Sequence, residues 1–172
     1  MRNRTTAVIV SVALLFPLMV SSGCQTPQRR SRTADEDIIR RVVCIYDTKP
    51  WLNLDRMGDR DPEGISYRIF LKNATGKSTL REGTFHIEMY GITRDEDNKI
   101  KRTLVSDWHY PTEKFHTIAQ PGMMGAGYLP HLFWSSKDLA GSEIEIITTF
   151  EDMEGRLCRS ETKRLKIPRY KS

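Results

Sequence analysis

Apolar residues alternate with polar ones in several separate stretches of this chain, and this period of two is the feature that most limits its fold. In one such stretch Phe85, Ile87 and Met89 alternate with His86 and Glu88. This pattern is typical of a strand with one face on a core and the other in water. It predicts two sets of side chains, a core set of Ile69, Ile87, Ile146 and Phe150 and a non-core set of Arg68, His86 and Glu145.

Turn-forming sequences separate the alternating stretches. They are rich in Pro, Gly, Asn and Asp and lie at 61–64, 73–76, 95–98, 121–122 and 154–155. Seven or eight short strands divided by such turns predict an all-β fold, an antiparallel β-sandwich that is immunoglobulin-like in outline. We assign this domain to residues 35–172.

The first 23 residues have the layout of a secretory signal. Arg2 and Arg4 precede an apolar run at 7–20, and small residues then lead to Cys24. The run is too short to cross a bilayer, which takes about 20 apolar residues, so a cleaved signal peptide is predicted over 1–23. The end of the run resembles a bacterial lipobox, which implies that Cys24 carries a diacylglycerol anchor with palmitate-type acyl chains. Ordinary cleavage, with Cys24 as a bystander, is the alternative.

Residues 24–34 are predicted to form a flexible tether between this anchor and the domain. The segment is polar, and it contains Arg29, Arg30 and Arg32 with no acidic residue. Its arginines suit anionic lipid headgroups. By resemblance to enterobacterial sorting rules, Gln25 favours the outer over the inner membrane. The domain would then lie in the periplasm or at the cell surface.

The charge balance argues against nucleic acid as a partner. Of the 27 Lys and Arg residues, five precede residue 35, which leaves 22 against the 22 Asp and Glu residues of the predicted domain. A nucleic-acid-binding domain needs a basic surface of its own. The formally neutral domain offers none in bulk, so no nucleic-acid partner is predicted.

Four segments resemble small lipoproteins of planctomycete-type bacteria. They are Asp-Pro-Glu-Gly-Ile at 61–65, Gly-Thr-Phe-His-Ile-Glu-Met-Tyr at 83–90, Asp-Trp-His-Tyr-Pro at 107–111 and Ile-Thr-Thr-Phe-Glu-Asp at 147–152. The resemblance implies an exported β-sandwich. That family carries no activity that could be transferred to this chain.

One loop resembles the first half of a calcium-binding loop. Asp59, Asp61 and Glu63 alternate before Gly64, which makes these three carboxylates candidate calcium ligands. Calcium loops place a bidentate carboxylate at the twelfth position, and Phe70 stands there. A solvated loop between strands is the alternative.

Other catalytic or metal-binding patterns are not found. The four histidines lack the close spacing of zinc ligands, and no nucleophile-elbow sequence is present. We therefore predict no catalytic residue, no cofactor and no enzymatic activity.

Two further pairs of residues are candidates for function or stability. Trp108 and Tyr110 fall on one face of a predicted strand, where they either fill the core or mark a binding surface. Cys44 and Cys158 lie in the first and last predicted strands. Export would allow a disulfide between them, and two separate buried thiols are the alternative.

These features together predict a lipid-anchored envelope lipoprotein whose β-sandwich binds or scaffolds an envelope protein. The alternative is a carbohydrate- or calcium-binding module of the cell envelope, and an enzyme comes third. The ligand and the oligomeric state do not follow from the sequence.

Overall fold

A computed structural model describes residues 38–54, 61–120, 124–134 and 139–170. The predicted signal peptide 1–23, the tether 24–34 and the candidate residues Cys24 and Asp59 lie outside this described part. The strands in it, in chain order, are β1 (Ile39–Ile45), β2 (Trp51–Leu52), β3 (Gly64–Ser66), β4 (Arg68–Asn73), β5 (Ser78–Thr79), β6 (Gly83–Arg94), β7 (Ile100–Pro111), β8 (His116–Gln120), β9 (Gly125–Leu129), β10 (His131–Phe133), β11 (Glu143–Asp152), β12 (Leu157–Arg159) and β13 (Lys163–Lys166). A single 3-10 turn, Thr112–Lys114, joins β7 to β8.

Antiparallel pairing organises these strands into three sheets. The first has the order β1-β4-β9-β8, with β5 also paired to β4, and the second has the order β10-β3-β2. The third has the order β12-β11-β6-β7, with β13 also paired to β11.

The first two sheets continue one another. Only Tyr67 separates β3 from β4, and only Pro130 separates β9 from β10. The pairs Ser66–His131 and Ile69–Tyr128 keep one register across this break. The first two sheets therefore act as one layer, and the third sheet is the opposing layer.

The core lies between the two layers. Ile65, Ile69 and Leu71 from the first layer cluster with Ile87 and Ile146 from the second, and all are buried. Phe85 packs edge-on against Tyr128 of the opposite layer, with 5.2 Å between ring centroids. The prediction of an all-β antiparallel sandwich is confirmed, and its immunoglobulin-like outline stays a prediction.

The alternation correctly identifies most of the core. Ile69, Ile87, Ile146 and Phe150 are at most 1% exposed, as predicted. Glu145 is not part of the hydrophobic core, as predicted, but it is only 2% exposed. It lies on the outer face of the third sheet, where two arginine side chains cover it.

Turns form at 73–76, 95–98 and 154–155, as predicted. Residues 61–63 are extended or irregular, and Gly64 begins β3, so the turn predicted at 61–64 is not present. Asn73 Oδ1 accepts hydrogen bonds from the backbone N–H groups of Thr75 and Lys77, and Gly76 takes a positive φ of 76°. Asp152 Oδ1 accepts hydrogen bonds from the N–H groups of Glu154 and Arg156 at 2.9 Å each. Side-chain acceptors of this kind close tight turns between paired strands.

Candidate functional site

Trp108 and Tyr110 lie on the same strand, but only one of them offers an exposed surface. Trp108 is 8% exposed, and its indole Nε1 donates a hydrogen bond of 3.1 Å to the carbonyl oxygen of Phe133. Tyr110 is 40% exposed and packs edge-on against Phe115. The structure therefore assigns Trp108 to the core and leaves Tyr110 as the exposed residue of the predicted surface.

The strand that holds both aromatics, β7, forms an edge of the second layer. It pairs with β6 along one side, and no described strand pairs with its other side. With 12 residues it is much longer than β8, the five-residue strand at an edge of the first layer. The outer side of an edge strand presents backbone N–H and C=O groups that can pair with another chain.

Apolar side chains accompany this edge. Ile100, Leu104 and Tyr110 are all large, apolar and exposed. We call β7 with these three side chains the β7 edge. Sequence analysis identified Tyr110 and missed Ile100 and Leu104. The available signal was the turn at 95–98, because a hairpin turn after the 12-residue β6 implies a partner strand of similar length.

Two features of β7 limit which chains could pair with the β7 edge. Met89 pairs with Ser106 and Tyr90 pairs with Leu104, so Val105 is an extra residue in a β-bulge. Lys101, Arg102 and Asp107 add charges along the strand. Bulges and charges on an edge strand disfavour indiscriminate pairing, so a matching partner needs a complementary pattern.

An ion-pair network around the buried Glu145 braces the outer face of the sheet beside this edge. The Arg102 Nε atom lies 2.7 Å from Glu145 Oε2, and Arg164 donates to Glu145 Oε1 from Nη2 at 2.5 Å and from Nε at 3.2 Å. Burial would raise the pKa of the Glu145 carboxyl group, but the hydrogen bonds and charges of the two arginines outweigh it and lower that pKa. The network thus ties β7 to β11 and β13.

A row of titratable side chains crosses the same outer face. His86 Nε2 lies 2.7 Å from Glu151 Oε2, and His109 Nε2 lies 3.6 Å from Asp107 Oδ2. The rings of His86 and His109 are 4.7 Å apart. No three His, Cys, Asp or Glu side chains in the described part converge into a metal site.

The described carboxylates of the calcium candidate loop bind backbone groups. Asp61 Oδ1 accepts a hydrogen bond of 3.0 Å from the N–H of Tyr170, and Glu63 Oε2 accepts one of 3.0 Å from the N–H of Leu54. Both side chains hold neighbouring segments in place. Asp59 lies outside the described residues.

The structure has Cys44 and Cys158 as free cysteines, and the disulfide between them stays a prediction. Val42 bridges to Ser160 in a parallel arrangement, which places Cys44 beyond the bridge and Cys158 before it. Cys44 hydrogen bonds to the side chains of Thr148 and Ser160, and burial raises its pKa to about 11. Cys158 hydrogen bonds to the backbone of Val42, and burial raises its pKa as well.

An apolar hollow of about 290 Å³ lies away from the β7 edge. Its lining residues are Trp51, Leu52, Asn53, Pro62 and Tyr170. Two aromatic rings with a nearby amide are suited to stacking against a sugar ring. Residues 51 and 170 are too distant in sequence for any local pattern to pair them.

Comparison with protein-family models, curated proteins and solved structures finds no match to this chain. The resemblance to planctomycete-type lipoproteins stays a prediction. In the part of the chain that the structure describes, no helix has the length and apolar character that crossing a membrane requires.

Proposed function

We propose that this chain is a lipid-anchored envelope lipoprotein whose non-catalytic β-sandwich scaffolds an envelope protein. The observation that carries the proposal is the β7 edge, a 12-residue edge strand with exposed apolar side chains. A partner strand that adds to this edge gains main-chain hydrogen bonds and covers Ile100, Leu104 and Tyr110. The bulge and the charges of β7 supply selectivity.

The anchor is the second part of the proposal. The layout of residues 1–24 supports acylation of Cys24, and Gln25 supports the outer membrane as the location. Metabolic labelling with a fatty-acid probe tests this directly. We expect label on the wild type, and we expect Cys24→Ser to lose both the label and membrane association. An unlabelled wild type would rule out the lipoprotein.

The immunoglobulin-like outline also belongs to this proposal. We leave the short strands β2 and β5 aside and count β3–β4, β9–β10 and β12–β13 as one segment each, which gives eight segments in chain order. Segments 1, 2, 6 and 5 are then neighbours in one layer, and segments 4, 3, 7 and 8 in the other. This order supports the outline, because immunoglobulin domains divide their strands between two antiparallel layers in the same manner.

The protein partner can be tested by photo-crosslinking in cells. A benzophenone amino acid at Leu104 should capture one protein of the envelope, identified by mass spectrometry. The same probe at Thr117, an exposed residue of β8, is the matched control. Equal capture at both positions, or none at Leu104, would contradict docking at the β7 edge.

Carbohydrate binding is the second candidate, and the hollow lined by Trp51 and Tyr170 supports it. Cosedimentation with isolated peptidoglycan measures it. We expect Trp51→Ala to abolish any such binding and Tyr110→Ala to leave it unchanged, because Tyr110 is not among the residues that line the hollow. No loss in Trp51→Ala would exclude this hollow as the glycan site.

A further inference from the structure

One end of the sandwich carries the two most exposed large apolar side chains of the described residues, Met153 and Leu157, with Leu80 beside them. Met153 is 77% exposed, Leu157 is 68% exposed and Leu80 is 42% exposed. Met153 and Leu80 line a hollow of about 480 Å³ together with Ile39, the first residue of β1. We call this region, Ile39 with Leu80–Glu82 and Asp152–Leu157, the Ile39 end.

Strand register places these segments at the same end. Ile39 pairs with Asn73 at the last residue of β4, and Gly83 pairs with Asp152 at the last residue of β11. The start of β1 therefore lies at the end of the sandwich where the β11–β12 hairpin turns.

Hydrogen bonds hold the two apolar loops in defined positions. Asp152 accepts from the backbone N–H groups of Glu154 and Arg156, which flank the tip at Met153 on its C-terminal side. The Tyr128 hydroxyl group lies 2.7 Å from both the N and the O atom of Arg81, next to Leu80. Met153 and Leu80 are thus displayed by ordered backbone, and water contacts them in the isolated domain.

Charges at this end nearly balance. Arg81 and Arg156 face Glu82, Asp152 and Glu154, and Arg156 is held by Asp152 at 2.6 Å and by Glu154 at 2.8 Å. A surface with exposed apolar tips and little net charge suits the boundary between headgroups and acyl chains, where apolar area drives binding.

We propose that the Ile39 end docks on the lipid surface, with Met153, Leu157 and Leu80 inserted into the interface. This inference rests on the proposed lipid anchor at Cys24. Fifteen residue steps separate Cys24 from Ile39, so a fully extended chain between them spans at most about 54 Å. The 12-residue strand β6, which is about 40 Å long, gives the length of the sandwich for comparison. Ile39 begins the first described strand after Cys24, so along the chain the Ile39 end is the part of the sandwich closest to the anchor.

Docking also gives the tether arginines a defined task. Arg29, Arg30 and Arg32 precede Ile39 by only a few residues. They supply the attraction to anionic headgroups, while the Ile39 end supplies apolar contact. Contact by the Ile39 end should therefore persist in zwitterionic lipid and at high salt.

The test places a benzophenone amino acid at Met153 or Leu157 and measures crosslinks to phospholipid by mass spectrometry. Leu104, an exposed leucine in the half of β7 farther from the Ile39 end, is the matched control. We expect phosphatidylcholine adducts at 153 and 157 at least about tenfold above those at 104, with little change at high salt. Equal adducts at all three positions, or none at 153 and 157, would overturn the proposal.

Two ways of attaching the protein to vesicles distinguish docking of the Ile39 end from acylation of Cys24. The first uses the acylated protein in phosphatidylcholine vesicles. The second uses residues 24–172 with Cys24→Ser and an N-terminal hexahistidine tag on nickel-chelating lipid. Lipid adducts at 153 in the tagged format support docking even if Cys24 proves unacylated. In native envelope vesicles, capture of a protein instead of lipid at Met153 would assign the Ile39 end to a protein partner and refute lipid docking.

Discussion

Tyr67 makes a polar contact inside the apolar core. The residue is fully buried, and its hydroxyl oxygen lies 2.8 Å from Thr148 Oγ1 in the opposite layer. Its ring stacks on Tyr46 with 4.6 Å between centroids. A buried hydroxyl pair of this kind fixes how the layers align, because leaving either oxygen without a partner costs free energy.

Replacing Tyr67 with Phe should therefore destabilise the fold. We expect Tyr67→Phe to lower the free energy of unfolding by about 0.5–1.5 kcal/mol, measured by urea denaturation. Tyr110→Phe, which removes an exposed hydroxyl group, is the control and should have no measurable effect. An unchanged midpoint for Tyr67→Phe would mean that the contact with Thr148 contributes nothing.

The buried thiols give a second prediction at this scale. With a pKa of about 11, Cys44 is almost entirely protonated at pH 8 and shielded from reagents. We expect the folded protein to react slowly with a thiol reagent, and the unfolded, unreduced domain to show two free thiols besides residue 24. Finding no free thiol after unfolding would show that the two cysteines are bridged.

Acid should weaken the fold through Glu145. The pKa of this carboxyl group is lowered in the folded state from its ordinary value of 4.5. Its stabilising contribution is therefore complete above about pH 4.5 and is lost as the pH falls through the lower, folded-state pKa. We expect Glu145→Gln to lower the urea midpoint at pH 7 and to reduce the further drop between pH 5 and pH 2. A variant with the same acid response as the wild type would exclude Glu145 as a cause.

Glu145 also shows that sequence alternation predicts the face of a residue and not how exposed it is. The period of two correctly assigned the residue to the outer face of β11. It could not show that Arg102, on a strand two places away, and Arg164 would cover that face. Burial on an outer face depends on long side chains from neighbouring strands, and a single strand's pattern contains no information about them.

Among the elements, β11 is the centre of the second layer. It pairs with β6 on one side and with β12 and β13 on the other. Ile144, Ile146 and Phe150 project from it into the core. Damage to β11 should therefore affect the whole sandwich.

Truncation at the centre of β11 tests this. Ile146 is fully buried, and we expect Ile146→Ala to lower the free energy of unfolding by about 2–5 kcal/mol. Leu104→Ala, on the exposed side of β7, should change it by less than about 0.5 kcal/mol. Similar losses in the two variants would place Ile146 outside the core.

Turns and strands differ in how well the sequence predicts them. The turns at 73–76, 95–98 and 154–155 follow local chemistry, so Asn73, Asp95 and Gly155 mark them correctly. The full length of β7 was missed because its first half is exposed on both faces and shows no alternation. An edge strand need not bury a face, so the usual signal is weak there.

At the scale of the whole molecule, the sequence predicted the class of fold but not which distant residues meet. Two-layer packing follows from strands with one apolar face each. The hollow between Trp51 and Tyr170 and the ion pair between Arg41 and Glu161 join positions more than 100 residues apart. Such meetings depend on the order of strands in the sheets, which alternation does not encode.

The bridge between Val42 and Ser160 means that the sandwich can be completed only late in the synthesis of the chain. Beside it, Arg41 and Glu161 pair across 120 positions of the chain. A chain that emerges N-terminus first from a ribosome or a translocation channel cannot form these contacts between β1 and residues 160–161 until its C-terminal residues appear. A chain that stops at Gly155 should accordingly show no cooperative unfolding transition. For the exported protein proposed above, this order of events means that the chain crosses the membrane unfolded and closes the sandwich only on the far side.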